Sequence, residues 1–210
     1  MINSKIKFYL IILLFFSQFK GYTDKIKLGF NTGINLSTIT SSNSSEEFNL
    51  GKGFLPGLAV GVLSEYFADD AYSLVIEANY STKGFTMNQM GVRVRSYSKY
   101  LEIPFRLKYY SSNDLAFEVG PYLGIALKEY IKNNISSSKV YGQIGNDFSD
   151  VLKPFDLGAQ GGVSFNKNDF SLGIIISYGI LNIRPAGGLG SSVRNLSTQV
   201  RFNYFFSKLE

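Results

Sequence analysis

YSKYLEIPFRLKYY (Tyr97–Tyr110), SSND (Ser111–Asp114) and LAFEVGPYLGIALK (Leu115–Lys128) together decide the fold. In the first stretch Leu101, Ile103, Phe105, Leu107 and Tyr109 alternate with Glu102, Arg106 and Lys108. In the last, Leu115, Phe117, Val119, Leu123, Ile125 and Leu127 oppose Glu118, Gly120, Gly124 and Lys128. A period of two is the signature of a β-strand, because successive side chains leave opposite faces. Ser, Asn and Asp between two such runs make a tight turn. The pair is therefore an antiparallel hairpin with one apolar face and one face of glycine and charge. Same-face pairing across the turn puts Glu118 opposite Arg106 or Lys108. Pro104 and Pro121 interrupt both strands, so a shared bulge or a lost ladder bond is expected between them.

The same alternation repeats outward from this hairpin. It marks Lys27–Ser37, Gly57–Phe67 and Tyr72–Lys83 before it, and Lys153–Phe165, Phe170–Ile183 and Leu196–Phe206 after it. That makes eight strands, each near the ~9–11 residues a tilted strand needs to cross a bilayer. The connections alternate in length. Ala68–Ala71, Ser111–Asp114 and Asn166–Asp169 are tight, whereas Thr38–Pro56, Phe85–Ser96, Glu129–Leu152 and Arg184–Asn195 are long. Long loops on one side and short turns on the other are the pattern of an eight-stranded antiparallel up-and-down transmembrane β-barrel. The expected arrangement has short periplasmic turns, long extracellular loops and both termini in the periplasm.

Composition narrows the chemistry. The 210 residues include no Cys and no His, which removes disulfides, thiolate and imidazole metal sites, and Ser-His-Asp catalysis. There are 18 Phe, 14 Tyr and 21 Gly, with charged residues at only 18%. That balance favours β-structure in an apolar setting.

Residues 1–21 read as a cleaved signal peptide, leaving 22–210 as the barrel domain. Lys5 and Lys7 precede the unbroken apolar run Phe8–Phe16, which is too short to span a bilayer as a helix. Without Lys5, Lys7 and Lys20 the net charge falls from +5 to +2. The basic balance is thus largely a targeting feature, and no nucleic-acid partner is expected.

Alternation alone fits a lipocalin-like soluble barrel as well, with its apolar face inside. Two features favour the opposite orientation. The polar parity combines glycine with charges of both signs, as a narrow lumen requires. Aromatic residues of the apolar parity gather beside the tight turns: Tyr66, Tyr72, Tyr109, Phe117, Phe165, Phe170 and Phe206. That is the expected interfacial girdle of a membrane barrel.

Several motifs carry a family resemblance. They are Gly29-x-Asn31-x-Gly33-x-Asn35-Leu36-Ser37, Tyr100-Leu101-Glu102-Ile103-Pro104 and Glu118-Val119-Gly120-Pro121-Tyr122-Leu123-Gly124. Phe155-Asp156-Leu157-Gly158 and Gly179-Ile180-Leu181-Asn182-Ile183 follow. Over residues 26–206 the chain resembles the PorT-like family of small, porin-superfamily-like barrels with an outer membrane protein β-barrel domain. The resemblance implies Gram-negative outer-membrane localisation and insertion by the barrel-assembly machinery. It implies no catalytic activity and no known ligand.

The candidate site residues fall in two groups. Glu77, Glu102, Arg106, Lys108, Glu118, Asp156 and Arg201 share the inward parity and read as a structural lumen charge network. Arg93, Arg95, Arg184 and Arg194 read either as a basic rim that contacts lipopolysaccharide or as solvated loop charges. Asp147 and Asp150 are too sparse for calcium. Gly187, Gly188 and Gly190 lack the strand-to-helix setting of a phosphate loop. No cofactor, metal or catalytic residue is expected. The leading expectation is a non-enzymatic barrel with a structural or loop-binding role. A narrow channel, an accessory of a secretion or assembly system with an unknown partner, and a lipocalin-like binder are the alternatives.

Overall fold

The computed structural model describes residues 26–42, 51–89, 91–135, 138–185 and 192–208. The signal-peptide assignment and the glycines at 187, 188 and 190 lie outside the described residues. The strands are β1 (Ile26–Ser41), β2 (Lys52–Phe67), β3 (Tyr72–Gln89), β4 (Val92–Tyr110) and β5 (Leu115–Asn133). They continue with β6 (Val140–Gly142), β7 (Phe155–Lys167), β8 (Phe170–Gly179) and β9 (Val193–Lys208). Each pairs antiparallel with its neighbour, and β1 closes onto β9 through pairs such as Phe30↔Tyr204 and Ile34↔Val200. The closed ring has eight strands. The three-residue β6 stands outside it, hung on the far end of β5 through Tyr130↔Tyr141.

Side chains alternate around this ring. On β8, Ser171 and Ser177 are buried while Leu172, Ile174 and Ile176 are each about half exposed. The apolar parity therefore faces outward, the reverse of a lipocalin-like barrel. Closure leaves no free strand edge in the ring, which lets a sheet with an apolar exterior satisfy its backbone.

The tight turns are held by short polar side chains. Asp69 Oδ1 accepts from the amides of Ala71 and Tyr72 at 2.8 Å, and Ser112 Oγ accepts from Leu115 N at 3.1 Å. Asn168 turns β7 into β8 with φ 53°, a left-handed conformation that Asn tolerates. Tyr72 packs on Tyr109, and Phe170 on Tyr204, so the rings beside these turns form a belt.

The long connections depart from expectation. Phe85–Ser96 is not a loop: β3 and β4 stay paired out to Gln89↔Val92, and Gly91 turns at φ 81°. Arg93 and Arg95 accordingly lie on a strand, and Arg194 lies on β9. The alternation fades there because a strand that has passed the apolar band has polar surroundings on both faces.

The two prolines break the ladder without shifting it. Between β4 and β5 the pairing runs to Pro104↔Tyr122 and resumes at Leu107↔Val119 in the same register. The register shift between these strands lies higher, at Lys99/Tyr100. At the break the two backbones close up, and a Cβ on Gly120 would sit 1.9 Å from the carbonyl oxygen of Phe105. Gly120→Leu should cost on the order of 3 kcal/mol or more. Gly161→Ala, whose added Cβ meets nothing closer than 3.7 Å, should be nearly neutral. Urea unfolding of both variants checks this; equal midpoints would mean that β4 and β5 can part at no cost.

Candidate functional site

The inward parity brings charge from strands that are remote in sequence to one level of the lumen. Arg106 on β4 is fully buried. Its Nε donates to Glu118 Oε2 at 2.9 Å, its Nη1 donates to Gln160 Oε1 at 2.9 Å, and its Nη2 meets Glu77. From the opposite wall, Arg201 on β9 pairs with Glu77 at 3.0 Å and Glu118 at 3.0 Å. Two guanidiniums and two carboxylates thus form an alternating square. Asn79 donates to Glu77 at 2.8 Å, and Asn31 donates to Asn79 at 2.7 Å, which extends the square toward β1.

Two smaller clusters lie above and below. Toward the long connections, Lys83 pairs with Glu102 and stands 3.8 Å from Asp156, its Nζ over the Tyr122 ring at 4.2 Å. Tyr122 and Asn195 donate to Asp156 at 3.0 and 2.9 Å. Gln160 joins this level to the square by donating to Glu102 at 2.9 Å. Toward the tight turns, Lys108 pairs with Glu65 at 3.2 Å and donates to Asn166 at 2.8 Å. Tyr110 and Ser73 each donate to Glu65 at 2.6 Å.

All seven predicted lumen residues are buried on this inward face. Glu118 meets Arg106 directly, and no ion pair joins it to Lys108, whose partner is Glu65. Glu65, Lys83, Gln160, Tyr100 and Tyr122 belong to the same interior and were missed. Parity alone would have found them. The two tyrosines fit because small residues face them: a Cβ on Gly158 would come within 2.4 Å of the Tyr122 ring.

The arrangement is a plug. Arg106 and Asp156 have no solvent exposure, and Glu77, Glu118 and Arg201 have 2–3%. A cavity of about 290 Å³ opens at the long-connection end, with Ser96, Ser98 and Glu129 among its lining residues. A cleft of about 670 Å³ opens at the tight-turn end beside Lys27, Tyr110 and Asn166. The square lines neither of them.

The basic rim is not one site. Arg93 is held by Asn88 at 3.2 Å on the β3–β4 hairpin, beside Arg95. Arg194 donates to the Ile180 carbonyl at 3.0 Å on β9, and Arg184 lines the upper cavity. Three strands, β3, β2 and β1, separate the two pairs around the ring. Asp147 and Asp150 bind one another's backbone, and no group of three metal-ligating side chains occurs among the described residues.

A family model described as "Outer membrane protein beta-barrel domain" matches residues 16–184. Among solved structures, Neisserial surface protein A is 12% identical, with a TM-score of 0.51, over 85% of this chain and 97% of that one. Ail, the attachment invasion locus protein of Yersinia pestis, is 11% identical over 87% and 99%, with a TM-score of 0.49. The outer membrane protein W of E. coli is 15% identical over 85% and 97%, with a TM-score of 0.38. Identities this low speak to fold alone. No curated protein matches the chain.

Proposed function

The chain belongs to the outer membrane protein β-barrel domain family, and on that premise we propose that it is a non-conducting, non-enzymatic barrel that works through its outer surface. One observation carries this reading: the ion-paired square at mid-lumen is at most 3% exposed and borders neither of the cavities that open at the two ends. Eight strands leave an interior just wide enough for side chains to fill, and here they fill it with paired charge of both signs. Ions have no hydrated path. The reading also places the tight turns and both termini in the periplasm and the long connections outside the cell. Loop-side surfaces exposed on a rigid scaffold are where binding concentrates. Within the family, the prolines of Tyr100–Pro104 and Glu118–Gly124 favour a PorT-like member. That second reading adds a partner in a secretion or assembly system.

Two measurements test the proposal. The protein extracted from outer membranes should migrate differently on a gel before and after boiling, as folded barrels do. Reconstituted in planar bilayers, it should give a flat current trace. Discrete conductance steps from the unmodified protein would replace the plug with a channel.

A further inference from the structure

Charge is spread unevenly around the top of the barrel exterior. On β4 the outward side chains Tyr109, Leu107, Phe105, Ile103 and Leu101 are apolar or aromatic, and the next is Lys99. Ten residues at ~3.3 Å each, tilted by ~40°, rise ~25 Å, the height of the lipid-facing band. Lys99 therefore marks its upper edge. Above it on the same face come Tyr97 and Arg95.

β5 repeats the pattern in register: Lys128 faces Lys99, Tyr130 faces Tyr97, and Lys132 faces Arg95. β6 sets Tyr141 opposite Tyr130, with Lys139 just before it. The lysines and rings interleave. Lys99 lies over Tyr80 at 5.4 Å, Lys128 over Tyr141 at 4.5 Å, Lys132 over Tyr97 at 6.0 Å and Lys139 over Tyr130 at 5.2 Å. Tyr97 and Tyr130 stack at 4.9 Å between them.

Among the described residues none of the four lysines forms an ion pair. The nearby Glu129 turns inward to Ser96 and Ser98. Like charges directly opposite, as in Lys99↔Lys128, destabilise a ladder. Elsewhere around the ring Arg194 stands on β9, beyond β3, β2 and β1. The four lysines are therefore gathered on one sector, at the depth of the outer-leaflet headgroups.

We propose that the outward face of β4, β5 and β6 docks the phosphates of a bisphosphorylated, acylated glucosamine lipid of the outer leaflet. The occupant must share its acyl chains with the apolar band just below, which a soluble polyanion does not. Its phosphates supply the missing counter-charge between Lys99, Lys128 and Lys132, and the tyrosines form the interfacial bed on which a headgroup rests. The inference rests on the reading that the long connections face outside.

The test uses the full chain folded in vesicles of phosphatidylethanolamine and phosphatidylglycerol. Bisphosphorylated lipid A is added, and lipid A retained per barrel is measured after gel filtration in detergent. A surface lysine contributes about fivefold to attraction of an anionic headgroup. The variant Lys99→Gln, Lys128→Gln, Lys132→Gln, Lys139→Gln should retain at least tenfold less, and Arg194→Gln as much as the unmodified protein. Dephosphorylated lipid A should not be retained. Equal retention by the fourfold variant, equal retention of the dephosphorylated lipid, or full displacement by millimolar inorganic phosphate would each overturn the proposal. If the fourfold variant does not fold, Lys99→Gln with Lys128→Gln serves in its place, since it relieves the facing charges. The boiling shift is read on the same samples. A retained shift without lipid A binding removes only this inference, whereas a lost shift in the unmodified protein removes the barrel reading itself.

Discussion

Arg106→Ala lowers the stability of the folded barrel by about 3–5 kcal/mol, the cost of breaking a buried ion pair from one side. Its guanidinium contacts Glu77, Glu118 and Gln160 together. Removing it leaves two buried carboxylates with Arg201 alone, and frees Gln160 Oε1 as an unsatisfied acceptor. Adding Glu118→Gln to Arg106→Ala recovers part of the loss, because one uncompensated charge disappears with it. Urea unfolding in lipid vesicles reads both changes. A loss below ~1 kcal/mol would mean that water already reaches the square, a range typical of exposed pairs. The same variant should show current steps that the unmodified protein lacks, since the largest fully buried side chain has left mid-lumen.

Val60→Arg is the second large effect, and it tests the other face. Val60 is 56% exposed and stands six residues up β2 from the belt residue Tyr66, about halfway through the outward apolar band. A cation on the lipid face near the bilayer midplane costs about 2–4 kcal/mol, and near the interface about 0–1. Tyr66→Arg should therefore be tolerated where Val60→Arg is not. The comparison is a depth gauge: in a water-soluble barrel both substitutions would sit in solvent and cost alike. Refolding yield and unfolding midpoint in vesicles of fixed thickness give the answer.

The sequence was legible where physics acts on one strand at a time. Apolar and polar residues alternate wherever one face meets lipid and the other a packed lumen, so the existence of all eight ring strands could be read directly. Their upper ends could not. Thr86, Asn88, Arg93 and Arg95 carry no apolar parity, yet they pair for several residues past the band. Within the lumen, parity assigned Glu77, Arg106, Glu118 and Arg201 to one face. Across the β4–β5 turn it set Glu118 opposite Arg106 or Lys108, and Arg106 is the one it meets; it did not say who meets whom across the lumen, because those partners depend on how far strands shear past one another. Gln160 and Asn79 escaped because they are uncharged. Tyr100 and Tyr122 escaped because an aromatic residue in such a chain reads as outward-facing. Nor did the sequence tell how the four rim arginines are spaced, since ends of connections give no angular position around a ring.

The square also has a consequence in time. Arg201 lies on the last strand and grips Glu77 and Glu118, which precede it by 124 and 83 residues. Until β9 arrives, those carboxylates must stay hydrated, and the lumen stays wet around them. The pairing of β9 with β1 closes the longest loop in the chain, the contact whose entropy is costliest to meet. Dehydration of the interior and zipping of the seam are thus one concerted late event, with high contact order and no stable halfway point. An assembling chain holds an open, water-filled sheet until its final hairpin docks, and then seals in a single step.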